Sequence, residues 1–113
     1  MDVKHIKAPH PLYLLKYSAM SNINSETIVS RRKDGLLVSE LGNEMVMMDI
    51  ESGNYIGLNE TGKVIWELIE QPVKVDDLIK QLTTKYEVNY EECSKDTLEY
   101  LSKMEEQKIL ATS

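Results

Sequence analysis

Few side chains in this chain could do chemistry. His5, His10 and Cys93 are its only imidazoles and its only thiol. A structural zinc site needs four ligands, and a catalytic one needs three with an open position. The histidines stand in a proline-broken N-terminal stretch (Pro9, Pro11) and Cys93 lies far along the chain, so no metal spacing is assembled. Cys93 falls on the apolar face of a helix with no evident base or cation beside it, so it reads as a small core residue rather than a nucleophile. Glu91, Glu92, Asp96, Glu99, Glu105 and Glu106 crowd one helix, where they read as a solvated face with dipole complementation at the N-terminus. Gly53, Gly57 and Gly62 lack both the Walker lysine and the dinucleotide-binding spacing. An active site needs convergent groups. The expectation is a binding protein that is not an enzyme and holds neither metal nor cofactor.

The charge balance narrows the partner. Thirteen Lys+Arg against nineteen Asp+Glu leave a net charge of −6, the wrong sign for a phosphate backbone. The basic cluster Arg31-Arg32-Lys33 runs straight into Asp34-Gly35 and reads as a solvated turn. No apolar run approaches the ~20 residues that span a bilayer, and the N-terminus lacks a signal-peptide pattern. With a single cysteine, these features place the chain in the cytoplasm, with no nucleic-acid or membrane partner expected.

The elements that would position a binding site follow from periodicity. Residues 1–25 read as an N-terminal extension, extended or flexible, and residues 26–113 as one domain. The apolar run Leu12 to Tyr17 in the extension needs a cover: the domain body, a second copy in a homodimer, or another protein. Ile28 to Ser30 and Leu36 to Leu41 read as one strand or two short ones. Glu44 to Ile50 is the next strand, with Val46, Met48 and Ile50 on one face. After a turn at Glu51 to Asn54, where Gly53 can supply a positive φ, Asn54 to Leu58 makes the third strand of an antiparallel meander and stands at its edge. Asn59 caps a helix over about Glu60 to Glu70 that ends before Pro72. Val75 to Tyr86 gives a second helix, a third starts after its cap Asn89 and runs to about Gln107, and Ile109-Leu110-Ala111 is a short apolar tail able to return to the core.

A short edge strand beside a helix with a wide apolar stripe suits capture of an extended peptide, which adds itself to the sheet. Four main-chain hydrogen bonds contribute about 4 kcal/mol net. Micromolar affinity needs about 8 kcal/mol, so apolar side-chain pockets must supply the remainder. The candidate peptide-binding residues are Asn54, Tyr55, Ile56, Gly57 and Leu58 on the strand, with Leu98, Leu101, Ser102 and Glu105 on the third helix. Taken alone, Ile56 and Leu58 read as core; Tyr55 and Gly57 are the sharper candidates, because Gly57 lets a partner backbone approach.

The stretch Ser52-Gly53-Asn54-Tyr55-Ile56-Gly57-Leu58-Asn59-Glu60-Thr61-Gly62, followed by Ile65-Trp66-Glu67-Leu68, resembles the signature of the PqqD-like proteins. The likeness runs on through Val75-Asp76-Asp77-Leu78 and Tyr86-Glu87-Val88 to the Ile109-Leu110 tail, covering about Ile28 to Ala111. The resemblance implies an α+β, winged-helix-like fold: a three-stranded antiparallel β-meander followed by three α-helices. It also implies a recognition element for ribosomally synthesised, modified peptides. Such an element binds the precursor's leader peptide between third strand and third helix and presents it to a modifying enzyme. In pyrroloquinoline quinone biosynthesis that enzyme is a radical SAM enzyme; in lasso-peptide pathways it is a leader peptidase, with a cyclase acting later. The Gly62-Lys63-Val64-Ile65-Trp66 form is closer to the lasso type. Two rival readings are a winged-helix DNA-binding regulator, which the acidic charge opposes, and a structural subunit of a biosynthetic enzyme.

Overall fold

The computed structural model describes residues 22–113. The apolar run Leu12 to Tyr17, with His5 and His10, lies outside them. Two small sheets and three helices share one core. Strand β1 (Ile28–Arg31) is followed by β2 (Leu36–Leu41), β3 (Glu44–Asp49) and β4 (Tyr55–Leu58). Helix α1 (Glu60–Leu68), strand β5 (Val73–Lys74), helices α2 (Val75–Tyr86) and α3 (Tyr90–Glu106) and strand β6 (Leu110–Thr112) complete the order. The second, third and fourth strands form the antiparallel meander, in the order β2-β3-β4. The fold is α+β and consistent with the winged-helix-like arrangement, and the strand anticipated as the third is β4.

The second sheet is where the structure departs from the sequence reading. β1 and β2 are separate strands in different sheets, and β1 is the middle of a sheet ordered β5-β1-β6. The apolar tail returns as β6, with Ile109 fully buried and Ser30 facing Ala111 in the ladder. Upstream of β1, Ile23 packs against the core and the Ser25 carbonyl accepts the Asp76 amide at 2.9 Å, so the chain is docked on the domain before residue 26. In β3 the inward face is Met45, Met47 and Asp49, whereas Ile50 is exposed. The phase is set by β4, since Met47 and Met45 stand opposite Ile56 and Leu58, which face the core beside Ile65 and Trp66.

A bidentate ion pair joins the two sheets. Arg32 Nη1 lies 3.0 Å from Asp49 Oδ2 and Nη2 lies 3.3 Å from Oδ1. The same guanidinium donates to the Asp34 carbonyl at 2.7 Å. Asp49 also accepts the Glu51 amide at 3.0 Å, so this carboxylate shapes the turn leading into β4. The Arg31 guanidinium lies 5.3 Å from the centre of the Trp66 ring and pairs with Glu70 at 3.6 Å. Two of the three residues assigned to a solvated basic turn are therefore half-buried structural groups.

Each helix start has a local cause. Asn59 Oδ1 accepts the Gly62 amide at 2.9 Å, and Asn89 Oδ1 accepts the Glu92 amide at 2.8 Å; both are N-caps. Helix α2 starts without a side-chain cap. Its Asp76 instead accepts the Tyr90 hydroxyl and pairs with Lys80 at 3.0 Å, which locks the starts of α2 and α3 together.

Two outcomes test this packing. A Cβ at Gly62 would overlap the Tyr100 hydroxyl and come within 2.7 Å of its Cζ. Gly62→Ala, which in an open helix would gain about 1 kcal/mol, should instead lower stability by about 1–3 kcal/mol, measured by urea unfolding. The second concerns pH. The Arg32 hydrogen bond, aided by the Glu51 and Ser52 amides, holds the Asp49 carboxyl below its ordinary 3.8. A group with a depressed folded pKa contributes stability above its unfolded value of about 4 and loses it as pH falls through the folded value. The wild type should therefore lose more stability than Asp49→Asn between pH 5 and pH 2, and parallel melting curves would show that the pair is not responsible.

Candidate functional site

The free edge of the meander can be derived from its hydrogen bonds. Asp49 donates its amide to the Asn54 carbonyl at 2.9 Å, which makes 49/54 a hydrogen-bonded pair. Such pairs recur at every second residue of an antiparallel ladder. The register therefore makes Met47/Ile56 and Met45/Leu58 hydrogen-bonded pairs as well. The opposite edge of β3 agrees, since Ile50 donates to the Gly35 carbonyl at 2.9 Å and the even-numbered residues of β3 serve β2. It follows that Tyr55 and Gly57 direct their N–H and C=O groups away from β3. Among the described residues nothing pairs with β4 on that side.

Side-chain direction alternates with the same period. Ile56 and Leu58 point into the core and are buried. Tyr55 and Gly57 lie on the outer face, where Tyr55 is 73% exposed. There they join Met48 and Leu37 in one cross-strand row and Val46 and Ser39 in the next. Asn54 is exposed in the turn before the strand. Of the five strand residues singled out from the sequence, Tyr55 and Gly57 thus offer both main chain and outer face. The side chains of Ile56 and Leu58 are committed to the fold.

Helix α3 is fastened to the end of this strand by a buried hydrogen bond. The Tyr100 hydroxyl donates to Asn59 Oδ1 at 2.9 Å, the same oxygen that caps α1. Lys63 holds the other end of the hairpin, pairing with Glu40 at 2.9 Å and donating to the Gly42 carbonyl at 3.3 Å. Leu101 is fully buried, while Leu98, Ser102 and Glu105 are half-buried. At about 100° per residue, Leu98, Ser102 and Glu105 project from a different flank of α3 than Tyr100. Asp96 and Lys103, by contrast, share Tyr100's stripe through i,i+4 and i,i+3 spacing. The sequence favours the Leu98 flank as part of the site and gives no sign of Tyr100's stripe, which is the one tied to the end of β4. The Asn59–Tyr100 hydrogen bond, which would have identified it, spans 41 residues and leaves no local pattern.

Candidates for chemistry do not converge. Cys93 is buried, with its thiol 3.7 Å from Thr97 Oγ1. Among the described residues no cluster of His, Cys, Asp and Glu could hold a metal ion, and no helix is long and apolar enough to cross a membrane.

Comparison with known proteins agrees with this architecture. No curated protein matches the chain. Among solved structures, TbiB1 in complex with the TbiA(beta) leader peptide superposes with a TM-score of 0.63 at 22% identity, covering 69% of this chain and 91% of that one. At that identity the likeness shows a shared fold. The family model of coenzyme PQQ synthesis protein D (PqqD) matches residues 44–110, from the first residue of β3 to the first of β6. That match spans more than half of the chain, and the chain belongs to the PqqD family.

Proposed function

We propose that this protein is a non-catalytic adaptor that binds the leader of a ribosomally synthesised precursor peptide. The leader adds as a strand to the free edge of β4 and is thereby presented to a modifying enzyme or a leader peptidase. The observation that carries the reading is the outward-facing main chain of Tyr55 and Gly57. Family membership supports it, as does the leader peptide bound to the similarly folded TbiB1. The two residues offer two donors and two acceptors in register, which is what an extended backbone needs and what a folded surface seldom matches. Alternate peptide side chains then fall on two sides. One set passes the outer face, where Gly57 leaves room beside Tyr55, and the other turns toward α3. The second flank of α3, with Leu98, Ser102 and Glu105, is a further surface that a longer leader could follow.

The geometry provides a substitution that separates binding from folding. Among the described residues the amides of Tyr55 and Gly57 make no ladder bond, so proline at either position removes a donor only from the partner's side. Gly57 is not among the positive-φ glycines, so the negative φ of proline has the right sign. Tyr55→Pro and Gly57→Pro should each weaken binding of the leader encoded beside this gene by about tenfold or more, through the lost bond and the ring on the docking edge. Ile56→Pro should damage the fold itself, because that amide serves β3. Titration calorimetry with circular dichroism reads both effects, and unchanged affinity in the first two variants would exclude strand addition at β4.

A further inference from the structure

A pocket of about 340 Å³ opens where α1, α2 and the N-terminal half of α3 meet. Its floor is apolar, formed by Ile65, Leu82 and Cys93, and Tyr86 and Val88 stand at its side. Both of these are substantially exposed, Val88 at 42%, so the pocket is open to a partner. Its rim carries Glu92 and Asp96 one helical turn apart. Among the described residues neither carboxylate makes an ion pair and no cationic side chain lines the pocket.

The position matters as much as the chemistry. Thr61, on the wall, lies two residues past Asn59, where β4 has just ended. Thr97, on the opposite wall, lies one turn before Tyr100, whose hydroxyl holds Asn59. The pocket therefore begins where the free edge stops. An extended chain advances about 3.3 Å per residue and one helical turn is about 5.4 Å. A peptide that runs on past the strand by a few residues is thereby brought toward the first turn of α1, where Thr61 stands.

We propose that this pocket is a second subsite for the peptide held by β4, taking an apolar side chain that stands next to a lysine or arginine. The inference rests on strand addition at β4. The apolar side chain fills the space above Ile65, Leu82 and Cys93, and the neighbouring cation meets Glu92 and Asp96. Main-chain pairing along β4 accepts almost any sequence, whereas this site reads side-chain type and charge.

Cys93, the chain's single cysteine, makes the pocket directly observable. It is 8% exposed, and an occupant would cover it. A displayed library of random peptides is selected on the full chain, and the tightest binder becomes the probe. The expected result is enrichment of an apolar–basic pair just outside the strand-forming stretch. The bound probe should also slow modification of Cys93 by methyl methanethiosulfonate several-fold. Asp96→Lys and Val88→Asp, both at exposed positions, should each weaken the probe about tenfold with unchanged melting. A probe whose apolar–basic pair is replaced by Ser-Gly should still bind the edge, yet leave Cys93 unprotected. A binder that is sensitive to Gly57→Pro, but that neither protects Cys93 nor responds to Asp96→Lys, overturns this inference and leaves strand addition standing. If no binder emerges, or the binder ignores Tyr55→Pro and Gly57→Pro, strand addition itself falls and this subsite falls with it.

Discussion

One side-chain oxygen holds the end of β4 in place. Asn59 Oδ1 accepts the Gly62 amide and the Tyr100 hydroxyl, both at 2.9 Å, in a site where Asn59, Gly62 and Tyr100 are all buried. A buried amide oxygen left unpaired would cost about 1–3 kcal/mol, so both donors must stay in place for the core to close. The consequence is geometric. The end of β4, the start of α1 and the middle of α3 meet at one atom, and Gly62 is required because the phenol ring occupies the space a Cβ would fill. The Leu58-Asn59-Glu60-Thr61-Gly62 stretch is thus a fastening, and the segment just before it can carry function because its far end cannot move.

The fastening bears on how an edge that no described residue pairs with is tolerated. Exposed edge strands invite uncontrolled pairing, and β4 limits the risk by being only four residues long. Its neighbour β3 is held on the other side by β2, and the β2–β3 hairpin is tied to α1 by Lys63. Asp49 fixes the turn that feeds β4 and is itself gripped by Arg32 from the connection after β1. The strand is therefore clamped at both ends by polar contacts, while its two outward peptide groups pair with nothing among the described residues. Much of the ordering entropy of a binding site has already been spent in folding.

What was legible in the sequence was local. The N-caps Asn59 and Asn89, the apolar spacing of α2 and the Gly53 turn each lie within a few residues of one another, and their positions hold closely. The second sheet was not legible, because β5 and β6 are two and three residues long and β1 recruits them from the middle and the C-terminal end of the chain. No periodicity exists over so short a span. The inward phase of β3 was ambiguous for a related reason: Met45, Val46, Met47 and Met48 are all apolar, and the choice between faces is made by Ile56 and Leu58 on the next strand. On α3 the flank around Leu98 carries the apolar spacing, while Tyr100's stripe includes charged residues and reads as surface. For the edge itself, the sequence indicated an outermost strand; which peptide groups face outward required the register.

That last distinction bears on how such a protein could be selective. Two residues of free edge offer four main-chain bonds, worth about 4 kcal/mol net, and these are the same for every extended peptide. An affinity near micromolar needs about twice that, so half or more of the binding energy must come from side chains. Within β4 itself the side chains of Ile56 and Leu58 are spent on the core, and Gly57 has none. Tyr55 alone cannot supply the difference, since a half-covered aromatic ring contributes about 1–2 kcal/mol. Under the proposed strand addition, selectivity must therefore reside beyond the strand, on helix surfaces at its ends, where sequence can vary without disturbing the Asn59–Gly62–Tyr100 fastening. Conserving the edge and varying its surroundings would let one fold serve many different peptides.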